Sequence, residues 1–214
     1  MPSLSTGRII FFNGRTISQL RVAMSLVSLL GAHFAFASDG EAILKALRGS
    51  NHDTRRRALE SPELAVCYSS DADETNCPAN PELYRRINSE LIRLLADPDP
   101  SIRRVAAQYL SVSTDARATK PLGRLLRDGD EEVRRTAASA FLHIRVRDPV
   151  IVKDLEGLLE DRDKFVRMNA AMALTYSGTH RSLIALRAAY NREVEPDVKE
   201  RFAEAVRGLE KNIR

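Results

Sequence analysis

The chain has 214 residues, with 33 basic and 29 acidic side chains, no tryptophan and only 6% aromatic residues. So small a charge surplus and so few flat rings leave little with which to grip a polyanion or stack bases and sugars.

Residues 1–37 are unlike the rest. They hold Arg8, Arg15 and Arg21, no lysine and no acid, then an apolar run from Val22 to Phe36 and an Ala35-Phe36-Ala37 exit before Ser38. A basic start, a short apolar core and small residues at the exit are the parts of a secretory signal peptide. The run is short for a membrane span, which needs about 20 apolar residues. No cysteine follows it to carry a lipid. The expectation is a signal peptide over 1–37, a mature chain from Ser38 with no stable membrane span, and a periplasmic or secreted location. Three basic residues and Phe11, Phe12, Phe34 and Phe36 would leave with it, so the mature chain is near neutral and nucleic acid is disfavoured as a partner.

From residue 97 onward one phrase recurs. Asp97-x-Asp99-x-x-Ile102-Arg103-x-x-Ala106-Ala107-x-x-Leu110 returns from Asp128 to Phe141 and from Asp161 to Leu174, then in decayed form from Glu193 to Val206. The steps are 31, 33 and 32 residues, a period that signals a solenoid. Apolar positions three and four apart predict helices, and a second apolar helix precedes each phrase (Leu91 to Leu95, Leu122 to Leu126, Leu155 to Leu159, Ile184 to Tyr190). The second acid of each turn is placed to cap the following helix, and Pro100 and Pro196 fall at the first helical position, where the missing N–H costs nothing. The alanine pairs allow close helix approach.

A further unit lies earlier. Leu47, Asn51, Arg55 and Ala58 align with Leu95, Asp99, Arg103 and Ala106 after a shift of 48, one period plus about 16 residues. An insertion at about 62–80 is therefore implied. It contains both cysteines, Cys67 and Cys77, expected to form a disulfide in an exported chain. Asp71, Asp73, Glu74 and Asn76 between them could form a crude cation loop, but lack the glycine and distal glutamate of an EF-hand. A solvated loop is the expectation.

The repeated phrase with its upstream Leu-x-x-Leu-Leu resembles HEAT repeats of the short type named after phycobilisome lyases. The resemblance covers essentially all of 38–214, a single HEAT-repeat domain. It implies an all-α fold: a right-handed superhelical solenoid of antiparallel helix pairs, about five HEAT-like repeats. In that family the basic residue after the valine pairs with a turn aspartate of an adjacent repeat. Arg103, Arg134, Arg167 and Lys199 should thus form a ladder, repeating in register with Asp99, Asp130 and Asp163. As half-exposed pairs they would contribute about 0.2–1 kcal/mol each.

Nothing in the sequence points to catalysis, a cofactor or a metal. His52, His143 and His180 form no zinc-protease pair, and there is no His-Glu repeat, nucleophile elbow or phosphate loop. The second helices line the concave surface in HEAT-like superhelices. At 100° per residue their outward face should carry Arg104, Gln108 and Ser111, then Arg135, Ser139 and Leu142, then Met168, Met172 and Thr175, then Glu200, Glu204 and Arg207. The exposed methionine pair is the adaptable apolar spot of a protein-binding surface. The expected function is a non-catalytic exported scaffold binding a protein through this face. The alternative is a lyase or enzyme accessory of the phycobilisome-lyase-like type.

Overall fold

The structure, a computed structural model, describes residues 35–68 and 81–213. Among these there are eleven α-helices, three short 3-10 turns and no strand. In chain order the helices are α1 (Ala35–Arg48), α2 (His52–Leu59), α3 (Pro62–Cys67), α4 (Pro81–Leu94), α5 (Pro100–Ser111), α6 (Thr119–Arg124), α7 (Glu131–Ala140), α8 (Pro149–Gly157), α9 (Lys164–Ser177), α10 (His180–Arg192) and α11 (Pro196–Asn212).

They stack as five pairs in two layers. The first helices are α1, α4, α6, α8 and α10, and the second helices are α2, α5, α7, α9 and α11, each packed on the next. The pair α1–α2 is the early unit that Leu47, Asn51 and Arg55 imply, and α3 belongs to the insertion. The expected signal segment up to residue 34, and Cys77 with the acidic loop at 71–76, lie outside the described residues. None of the described helices is long and apolar enough to cross a membrane.

The repeated residues explain the stacking. Ile102, Val133, Val166 and Val198 are buried in the second layer, as are the pairs Ala106–Ala107, Ala137–Ala138 and Ala170–Ala171. Bare methyl groups there let neighbouring backbones close up, while Leu47, Leu94, Leu126 and Leu159 fill the space between layers. Each buried leucine contributes about 1.5–3 kcal/mol of transfer free energy. Caps fix where each second helix begins. Asn51 accepts from the Asp53 and Thr54 N–H groups, Asp99 from Ser101, Asp130 from Val133 and Asp163 from Val166. Glu195 caps nothing with its side chain, and Pro196 starts α11 instead.

The insertion is anchored by tyrosines. Tyr68, at the end of α3, lies against Tyr84 and Tyr109 with ring centroids 5.5 and 5.0 Å away, and its hydroxyl donates to Asn88 Oδ1. Tyr109 donates to the Leu59 carbonyl at 2.7 Å. Burial pushes the Tyr109 phenol up to about 12, with Glu60 adding to it. Burial also raises Tyr68 well above its ordinary value, helped by Tyr84, Tyr109 and Asp115. Both therefore stay protonated donors, Tyr68 tying α3 to α4 and Tyr109 tying α5 to α2. Cys67 is buried beside them.

Candidate functional site

The arginine ladder is present, with one shift of register. Arg103 grips Asp128 through two bonds of 2.8 and 2.7 Å, and its third nitrogen donates to the Asp97 and Pro98 carbonyls of its own turn. Arg134 repeats this with Asp161, Asp128 and Gly129, and Arg167 with Glu193, Asp161 and Arg162. Arg55 does the same with Asp97, Gly49 and Ser50. The partner is thus the first acid of the next turn, and only Arg167 also reaches the second, Glu195, at 3.1 Å. The reason is a division of labour: the second acid caps its helix, while the first also accepts from the N–H of the second, as Asp128 does from Asp130 at 3.0 Å.

These pairs are more enclosed than half-exposed, with side-chain exposures of 16% and 9% for Arg103 and Asp128. Burial alone would raise the Asp128 carboxyl, but the Arg103 guanidinium, the Asp130 N–H and Arg134 together hold it below the usual range. Asp161 is lowered against the same penalty by Arg134 and the Asp163 N–H. Glu193 is lowered likewise, by the Glu195 N–H and Arg167. Lys199 departs from the expectation. It pairs with no acid among the described residues, and its ammonium sits 5.1 Å over the Tyr190 ring.

The expected binding face divides. Arg104 and Gln108 on α5 and Ser139 on α7 are half-buried, and none has a side-chain partner among the described residues. Arg135 is not free. It binds Asp163 at 2.8 Å and Glu132 at 2.9 Å, and lies 4.7 Å over the Phe165 ring, so it braces two repeats. Thr175 is buried, bonded to the Ala171 carbonyl and facing Gly208, so it does not belong to the surface. Met168 and Leu142 are half-buried and packed against the core, and Met172 is also half-buried, so the pair is less exposed than expected.

Two residues outside the expected face complete a stripe. Phe165, Met168, Met172 and Tyr176 recur at steps of three, four and four on α9, and both aromatic ends are 47% exposed. Their spacing is legible in the sequence, but the row drawn through Met168 and Met172 continued to Thr175 instead of Tyr176. The Arg145 guanidinium lies 5.5 Å from the Tyr176 ring.

A small cleft of about 200 Å³ opens between α2 and α5, lined by Arg56, Leu59, Glu60, Ser101, Ile102, Arg104 and Val105. Arg56 makes only loose contacts to Asp53 and Glu60, at 3.8 and 3.9 Å. Another, of about 250 Å³, lies beside α4 and the 112–115 turn, where Asp115 is already paired with Arg117. His52, His143 and His180 do not converge: His52 contacts Asp99 at 2.5 Å, and His143 and His180 are exposed just past α7 and on α10. Among the described residues no acid, histidine or cysteine group is arranged to hold a metal.

The family model for HEAT repeats matches residues 40–142 and 122–207. Among solved structures, a computationally designed armadillo repeat protein for modular peptide recognition is similar with TM-score 0.56 and 19% identity, over 78% of this chain and 80% of that one. A designed armadillo repeat protein in complex with the peptide (KR)4 gives TM-score 0.55 and 19% identity, over 92% and 95%. The CpcE–CpcF complex of phycocyanin lyase from Nostoc sp. PCC7120 gives 0.52 and 16%, over 78% and 98%. No curated protein sequence matches. Identities this low are likenesses of fold alone. With buried repeat residues, an inter-repeat ladder and a family model running from residue 40 to 207, the chain belongs to the HEAT-repeat family.

Proposed function

We propose that this protein is a non-catalytic scaffold that binds a protein partner along its second-helix layer, the concave side in superhelices of this type. The observation that carries the reading is the α9 stripe, where Phe165 and Tyr176 stand exposed on either side of Met168 and Met172. Aromatic and methionine side chains are enriched at interfaces because they present large adaptable apolar area. That designed armadillo neighbours recognise peptides supports a partner of this class. The test is crosslinked capture from extracts of the native source. Met168→Glu with Met172→Glu should abolish it without loss of helicity, and replacing His52, His143 and His180 with alanine should leave it intact. Capture that survives the methionine changes, or an activity that vanishes with the histidines, overturns the reading.

The same proposal includes export through the segment 1–37 and a disulfide between Cys67 and Cys77. The basic start, apolar run and Ala-x-Ala exit support the first. The short spacing of the only two cysteines supports the second.

A further inference from the structure

Resting on that reading, we infer that the partner is an extended, acidic–apolar peptide segment whose carboxylate enters the α2–α5 cleft while an apolar side chain lies on the α9 stripe. The cleft has the chemistry for one carboxylate. Arg104 has no partner among the described residues and Arg56 makes only loose contacts, above an apolar floor of Leu59, Ile102 and Val105. Glu60 lines the same cleft and offsets one of the two cations, so the surplus suits a single negative side chain rather than a polyanion. Elsewhere on this face Arg135 is engaged with Asp163 and Glu132 and Arg201 with Glu204, while Arg207 on α11 stands exposed without an ion-pair partner among the described residues. Unlike Arg207, Arg104 and Arg56 line a cleft with apolar walls, where a partner's acid is drawn out of water.

Between cleft and stripe the face offers Gln108 and Ser139, half-buried polar side chains on successive second helices. An extended peptide carries unpaired N–H and C=O groups that such side chains can satisfy, whereas a helix has already satisfied its own. Second helices packed about 8–10 Å apart put the stripe about 20–25 Å from the cleft, two and a half steps along the layer. At about 3.3–3.6 Å per residue, that sets the apolar anchor about six or seven positions from the acid.

Selection of a random 12-residue peptide library on the folded chain tests this. Enriched peptides should carry Asp or Glu about six or seven positions from Leu, Met or Phe. A synthetic member should lose at least tenfold in affinity on Arg104→Glu, keep most of it on Arg104→Lys, and recover on Arg104→Glu when its acid is changed to lysine. Circular dichroism should show all three proteins equally helical. If enriched peptides depend on Met168 and Met172 but show no acid, or ignore Arg104→Glu, the cleft assignment is overturned and the scaffold reading stands. If no enriched peptide depends on the methionines, both fall.

Discussion

One guanidinium performs two jobs in each repeat. Arg134 closes its own turn through the Asp128 and Gly129 carbonyls and clamps Asp161 of the next with bonds of 2.7 and 3.0 Å. Losing one partner of such an enclosed pair strands the other charge, which costs about 3–5 kcal/mol. Asp161→Asn should therefore be markedly less stable at pH 7 in urea denaturation. Arg135→Ala, whose side chain is more exposed, should cost only about 1 kcal/mol, at the upper end for exposed pairs. The pH dependence has a definite sign. Asp128, Asp161 and Glu193 titrate below their ordinary range when folded, so their contribution is present above about pH 4, where the unfolded carboxyls ionise, and is lost as pH falls through the folded values. The Asp161→Asn variant should lose less on acidification, and its curve should converge on that of the unmodified protein. Parallel curves down to about pH 2 would refute the linkage. The ladder's existence was legible in the repeated Arg103, Arg134 and Arg167. Its register was not, because two acids per turn satisfy the same spacing and only the cap geometry separates them.

Among the elements, periodicity places the helix pairs, since buried positions three and four apart admit no other regular structure. It misses what depends on a neighbour. Thr175 falls on the outward side of an isolated α9, yet α11 covers it, because Gly208 brings that helix close. Arg135 likewise reads as a free surface cation until Asp163 and Phe165 are set beside it. Gly178 marks another close approach at the end of α9. A Cβ there would sit 2.5 Å from the Leu174 carbonyl oxygen and 3.0 Å from Leu209 and Ser182. Its φ of −74° is open to any residue, so the constraint is space rather than backbone conformation. Gly178→Ala should destabilise by about 1–3 kcal/mol, as overpacking does, with the effect read from the denaturation midpoint. No change, or a gain, would mean the α9–α10 corner is looser than drawn.

For the molecule as a whole, five pairs make a structure in which each unit touches chiefly its neighbours, so stability is spread along its length. Tyr68 holds α3 onto the second repeat without help from a disulfide, and a bond from Cys67 to Cys77 would only have to close the loop beyond it. Mass spectrometry of protein recovered from outside the cytoplasm, without reduction, should show a chain starting at Ser38 with those cysteines in one crosslinked peptide. A product beginning at Met1 with free thiols would remove both proposals.

A clamp that reaches only one unit ahead also sets how the protein bears load. Pulled from its two ends, the stack carries tension in series, and no rung can relieve a rung two places away. The ladder, though not the helix packing, is weakest at the last described rung, where Lys199 rests on Tyr190 instead of gripping an acid. Optical tweezers should record yielding in steps of about 100 Å of released chain, one repeat at about 3.3 Å per residue, beginning with α10–α11. A single rip of the full length would show that the repeats act as one mechanical body.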